Sequence, residues 1–141
     1  MRPVTAALIA LCLLWAGCGV DDAGGDGAIS VVATTTQLGD FARQVAGERG
    51  DIHQILTPNA DPHGYEPRPS DARDLEGADV VLRSGGDLDE WLTELIDSSG
   101  SDAARVEVSR SVDERNDDPH WWQDPRNAIR AVGAIERALT K

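Results

Sequence analysis

The chain has little cysteine. It holds two in 141 residues, Cys12 and Cys18. Cys12 sits inside an apolar run that reads as a removable leader. The remaining chain then has a single thiol and no disulfide to form, so the fold must stand on its core. A paired-thiolate metal site is excluded on the same ground. Positive charge is also scarce, with 13 Lys and Arg against 25 Asp and Glu and a formal net charge of −12. That argues against nucleic acid as a partner and against electrostatic attachment to anionic lipid. No apolar run reaches the roughly 20 residues needed to span a bilayer. There is no Gly-x-Ser-x-Gly elbow and no His-Glu-x-x-His helix, which removes two common hydrolase patterns. Ser84-Gly85-Gly86-Asp87 falls between a strand and a helix. It lacks the glycine spacing and lysine of a phosphate loop and reads as a tight turn. No internal repeat at a fixed period is present.

What is present begins at the N-terminus. Arg2 precedes the apolar run Val4–Ala16, which ends at Trp15-Ala16-Gly17-Cys18. A charged start, a short apolar run and a small-residue exit read as a secretory signal over residues 1–17. The exit resembles a bacterial lipobox, with Trp15 where an aliphatic residue is usual. Cys18 is then the expected lipid-bearing residue, and ordinary signal cleavage is the other reading. Residues 18–28 are mostly Gly and Asp and cannot bury anything, so they read as a flexible tether.

From residue 29 to 141 one domain is expected. Ile29–Thr34 is a buried strand. Leu38, Phe41, Ala42 and Val45 fall on one face of a helix. Asp51–Thr57 reads as a second strand, and Ser70 is placed to cap a helix running to Gly77. Asp79–Arg83 is a third strand. Asp87 and Glu90 have capping-box spacing ahead of a stripe of Leu88, Trp91, Leu92, Leu95 and Ile96. Arg105–Val108 is a fourth strand. Asp124-Pro125 is an N-cap followed by proline at the first helical position. The last helix is expected to turn Ile129, Val132, Ile135 and Leu139 inward. The order βαβαβαβα predicts an α/β fold, an open parallel sheet with helices on both faces. In such a sheet every strand-to-helix loop leaves at one edge, where ligands bind.

Two loops at that edge carry the chemistry. Asp61-Pro62-His63 follows the second strand and Asp118-Pro119-His120 follows the fourth. Imidazole is the commonest side chain for borderline metals such as Zn²⁺. Pro62, Pro67 and Pro69 stiffen the first loop. Asp117, Asp118 and Asp124 surround His120 as possible hydrogen-bond acceptors, with Trp121 and Trp122 as a dry wall. The bland readings are a surface histidine in a turn for His63, and for His120 an interface residue beside core tryptophans and a helix cap. His53 lies inside a strand with no turn to present it and reads as an ordinary side chain. Thr34, Thr35 and Thr36 either line a pocket or cap the next helix. Whether His63 and His120 meet depends on strand order, which spacing does not supply.

Several segments together resemble one family. They are the signal with Cys18, Ala33-Thr34-Thr35-Thr36, Ala60-Asp61-Pro62-His63-x-Tyr65-Glu66-Pro67-x-Pro69-Ser70-Asp71, Leu88-x-x-Trp91-Leu92, and Asp118-Pro119-His120-x-Trp122-x-Asp124-Pro125-x-Asn127-Ala128. They look like the substrate-binding lipoproteins of zinc- and manganese-type ABC importers. The resemblance implies an extracytoplasmic, lipid-anchored monomer that is not an enzyme. It would capture Zn²⁺, or Mn²⁺, as the transported ligand and hand it to an ABC permease. It implies metal ligation by His63 and His120 from the N-terminal lobe of a two-lobed, periplasmic-binding-protein-like fold. A second lobe, joined by a long helix, would add a third histidine for zinc or a carboxylate pair for manganese. The chain departs from the pattern by stopping at Lys141, so it is expected to be a truncated form without that lobe. Trp121 and Trp122 are then expected to be partly exposed on the uncovered cleft face. Asp113, Glu114, Asp117 and Asp118 stand where some zinc-binding relatives carry a histidine-rich stretch. Two rivals remain, the first of which uses the same two histidines. One is an extracytoplasmic metal-dependent hydrolase with Glu66 or Asp118 as base. The other is an adhesion or structural lipoprotein in which the histidines are incidental.

Overall fold

The computed structural model describes residues 27–113 and 118–140. The leader-like run, Cys18, the tether up to Asp26, and Glu114 and Asp117 lie outside the described residues.

Four short strands form one parallel sheet: β1 Ile29–Ala33, β2 Gly50–Gln54, β3 Val80–Arg83 and β4 Ala104–Glu107. Their spatial order is β2-β1-β3-β4. Val31 faces Ile52 on one side and Val80 on the other, and Val80 faces Ala104. The interior strands are mostly apolar, at Val31–Ala33 and Val80–Leu82, because both faces are covered. Alternate residues go to alternate faces. Val31, Ala33, Val80 and Leu82 pack with Leu38 and Ala42 of α1 (Thr36–Ala46) and with Ala131 and Ile135 of α4 (Pro125–Leu139). Val32 and Val81 pack with Leu75 of α2 (Pro69–Glu76) and with Leu92 and Ile96 of α3 (Trp91–Ser99). The α/β expectation holds: a parallel sheet with helices on both faces.

The order places a switch point between β1 and β3. The chain moves outward from β1 to β2, then returns past β1 to reach β3. At such a point the loops diverge and leave a crevice beyond the carboxyl ends of the strands.

Local details differ from the sequence reading in several places. β2 ends at Gln54 rather than Thr57, yet Ile55 and Leu56 still donate their amides to the carbonyls of Ala33 and Thr34, both at 3.0 Å. Ser70 does not cap α2. Pro69 already opens that helix, and the Asp71 carboxylate reaches back to accept the amide of Arg68 at 2.7 Å. The Asp87/Glu90 capping box does not form. α3 starts only at Trp91, with Glu90 already helical in its backbone. Gly85 and Gly86 use left-handed backbone, at φ +93 and +61, to turn Asp89 into the interior instead. A side chain is strained there, and a Cβ on Gly85 would also lie 2.1 Å from Ser109 Oγ.

The expected stripe of α4 holds at Ile135 and, partly buried, at Leu139, but not at Ile129. Asn127, Ala131, Ala134 and Ile135 are buried, Ala131 and Ile135 against the sheet, while Ile129 is 73% exposed. Small Ala131 and Ala134 let the helix approach closely. Ile129 lies two residues from Ala131, about 200° round the helix. Ile129→Ser should therefore change stability by no more than about 0.5 kcal/mol. Ile135→Ala should cost about 2–5 kcal/mol through lost burial and a residual cavity. Urea denaturation of the two variants checks this, and equal losses would place Ile129 in the core.

Candidate metal centre

Both Asp-Pro-His triplets fold into the same turn. Asp61 Oδ1 accepts the His63 amide at 3.0 Å, and Asp118 Oδ1 accepts the His120 amide at 3.0 Å. The proline between has no N–H to offer, so the carboxylate reaches the next amide. Each turn thus points its histidine with the same local device.

The loops start from opposite edges of the sheet, after β2 and after β4. Even so, the His63 and His120 ring centres are 6.0 Å apart, with ring planes at 57°. The loops lean inward over the β1–β3 crevice. The Pro62 carbonyl accepts from Trp91 Nε1 at 2.8 Å. Asn59 eases the approach of the first loop with left-handed backbone at φ +67, which asparagine tolerates. The second loop is closed at its base by Asn127. Its side chain accepts the Asp113 amide at 3.0 Å and donates to the Asp113 carbonyl at 2.8 Å. Trp121 then donates Nε1 to Ser84 Oγ at 2.9 Å.

His63 is exposed and His120 half-buried. The His120 ring packs edge-on against Trp122, with centres 5.2 Å apart. His120 Nδ1 lies 2.7 Å from Asp118 Oδ1. A carboxylate there favours the tautomer with the proton on Nδ1, leaving Nε2 as the lone-pair nitrogen. The His120 amide, and next its ring, hold the Asp118 carboxyl below the usual carboxylate range, so Asp118 is ionised at neutral pH. A cleft of about 250 Å³ beside the pair is lined by Thr35, Thr36, Asn59, Pro62, His120 and Trp122, among others.

The remaining expected residues divide clearly. Thr35 caps α1, accepting the Leu38 amide at 3.3 Å, while Thr36 lines the cleft. Thr34 is buried and donates Oγ1 to Asp89 at 2.6 Å. His53 pairs with Asp74 of α2 at 3.0 Å. Glu66 is exposed. Trp121 is core, against the expectation of partial exposure; only Trp122 flanks the histidine. Its burial follows from the Ser84 bond and from packing beside Phe41 at 6.4 Å. Tyr65 donates to Asp71 at 2.8 Å and stacks on Trp91 at 4.8 Å. Burial first, and then the Asp71 hydrogen bond, raise its pKa, so the phenol stays protonated as donor. Among the described residues, no group of three or more His, Cys, Asp or Glu is arranged to hold a metal ion.

Asp89 escaped the sequence reading. It is fully buried and accepts from the amides of Ser84 at 2.6 Å and Gly85 at 2.9 Å as well as from Thr34. The Ser-Gly-Gly turn does cradle an anion, and that anion is the chain's own carboxylate. Only the two adjacent glycines hinted at it.

The sequence profile of the family described as zinc-uptake complex component A, periplasmic, matches residues 31–141. The chain belongs to that family. The manganese-binding lipoprotein MntA of Halalkalibacterium halodurans is 37% identical over 144 residues, covering 95% of this chain and 47% of that protein. The manganese-binding lipoprotein MntA of Bacillus subtilis is 30% identical, covering 96% and 48%. The chain spans about half the length of the curated relatives it matches. Among solved structures, the periplasmic zinc-binding protein TroA from Treponema pallidum superposes with a TM-score of 0.72 at 25% identity, over 80% of this chain and 44% of that one. These neighbours are two-lobed substrate-binding proteins, and the matching part is a little under half of each. The named relatives are binding proteins, not enzymes.

Proposed function

We propose that this chain captures a divalent transition metal outside the cytoplasmic membrane, for delivery to an ABC permease. The observation that carries this reading is the convergence of His63 and His120, 6.0 Å apart, from opposite edges of the sheet. An ion held by two imidazole nitrogens at about 2.0–2.1 Å lies roughly 3.2 Å from each ring centre, which sets the centres about 5–6 Å apart. Two imidazoles favour Zn²⁺ over Mn²⁺ in the ordinary affinity order. The names of the relatives include both metals, and both are candidates for the transported ligand.

Residues 1–17 are a signal, Cys18 carries the lipid anchor, residues 18–28 form a tether and residues 29–141 are the metal-binding lobe. The protein acts as a monomer. The names of the lipoprotein relatives support the anchor.

Two measurements test it. Calorimetry with Zn²⁺ at pH 7.5 should detect weak one-site binding, because the described residues bring together two of the four ligands zinc takes. A chain with no zinc binding at pH 7.5 is not a metal-capturing lobe. In cells, the protein should sediment with membranes and become soluble as Cys18→Ser. Equal membrane association of the two forms removes the anchor.

A further inference from the structure

His63 and His120 each stand one residue from an indole hydrogen bond, and both bonds end on the same stretch of chain. Before His63, the Pro62 carbonyl is held by Trp91 Nε1 at 2.8 Å. After His120, Trp121 Nε1 donates to Ser84 Oγ at 2.9 Å. Ser84 and Trp91 are the two ends of the segment joining β3 to α3.

That segment has little freedom. Asp89 lies within it, fully buried, and accepts from Ser84, Gly85 and Thr34. One carboxylate therefore ties the segment to the ends of both β1 and β3. The Pro62–His63 peptide is planar. Its carbonyl is held by Trp91 and its N–H by Asp61. With both ends of the peptide fixed, the position of the His63 Cα is fixed as well.

We propose that the Ser84–Trp91 segment is a bracket that sets the separation of the two histidines, with Ser84 and Trp91 as positioning residues for the metal. The part about metal rests on the function proposed above; the part about separation does not. Neither histidine touches the bracket directly, so its action runs through Pro62 and Trp121. A pre-set separation is what lets two weak ligands act on one ion, since misplacing either by about 1 Å loosens the site.

Two conservative variants test this in the full chain. Trp91→Phe keeps an aromatic ring beside Tyr65 and removes the indole N–H with part of the ring. Ser84→Ala removes the Oγ acceptor and keeps the amide bonded to Asp89. In metal-free protein, the proton–proton Overhauser effect between the His63 and His120 rings should be seen in the wild type. It should vanish or weaken sharply in each variant while the protein stays folded at 25 °C, the melting temperature falling by several degrees for each hydrogen-bond partner left unpaired. Zinc affinity should fall about tenfold in each, the low end of what removing an orienting partner of a metal-ligating histidine does. An inter-ring Overhauser effect that persists in both variants overturns the bracket. So does one that disappears only together with general unfolding. If the wild type binds no zinc at all, the metal reading fails alone, and the bracket is still judged by the inter-ring effect.

Discussion

Replacing either His63 or His120 by alanine is expected to reduce zinc affinity by more than about a hundredfold, while His53→Ala leaves it unchanged. Losing a mere orienting partner of a ligating histidine costs about 10–100-fold, and losing the ligand itself must exceed that. No cluster of three or more metal-binding side chains exists among the described residues to compensate. After either substitution one imidazole remains, and a lone imidazole does not hold a divalent ion against water. His53 is a useful control because it also has a carboxylate neighbour, Asp74 at 3.0 Å, but belongs to the outer strand β2. Calorimetry of the four proteins at one pH decides the matter. Full affinity in both motif variants dissolves the shared site. Loss of binding in His53→Ala would move the site to the His53–Asp74 pair. Trp122 gives a second readout, since its ring lies 5.2 Å from His120 and its fluorescence should respond to an ion there.

Asp89→Ala should destabilise the domain by about 3–6 kcal/mol, the largest stability loss expected from one substitution here. Three donors lose their acceptor together: the Ser84 amide, the Gly85 amide and the Thr34 hydroxyl. Each buried donor left unpaired costs about 1–3 kcal/mol. Arg83 adds to this. Its side chain is only 15% exposed, its Nε has no hydrogen-bond partner, and Asp89 at 3.7 Å is its nearby counter-charge. Breaking one side of a buried ion pair is far more costly than lacking the pair altogether. A domain of this size has a total stability of about 5–15 kcal/mol, so the variant should be at or near unfolding at 37 °C. Circular dichroism in urea measures it. A loss under about 1 kcal/mol would mean that water replaces the carboxylate and that the network is slack.

Ile29–Ala33 and Val80–Arg83 were legible as strands because a strand covered on both faces has no polar side to interrupt it. Asp124-Pro125 was legible as a helix start because a side-chain acceptor followed by a residue without an N–H suits the first turn and little else. The same local logic failed for Ser70 and for Asp87. In both places a nearby carboxylate, Asp71 or Asp89, gained more by reaching a backbone amide than the expected cap would have. Spacing also misassigned Ile129. A helical stripe can be drawn through several residues of α4, and only packing decides which face lies down; it buried Ala131 and Ala134 with Ile135 and left Ile129 out.

The two Asp-Pro-His turns lie on the other side of this divide only in part. Each turn is local: an aspartate, a proline that cannot donate, and an amide two residues on. Sequence alone determined that each histidine would be presented by a stiff loop at the ligand edge of a parallel sheet. It did not determine that they would meet. That needed the order β2-β1-β3-β4, which sends their loops to opposite edges, and two indole hydrogen bonds that bring both back to the segment after β3. Those partners are separated by 29 residues for Trp91 and Pro62 and by 37 for Trp121 and Ser84. Contacts at such separations obey no spacing rule, because they are set by which strands lie side by side, and side-by-side placement is settled only when the whole core is packed.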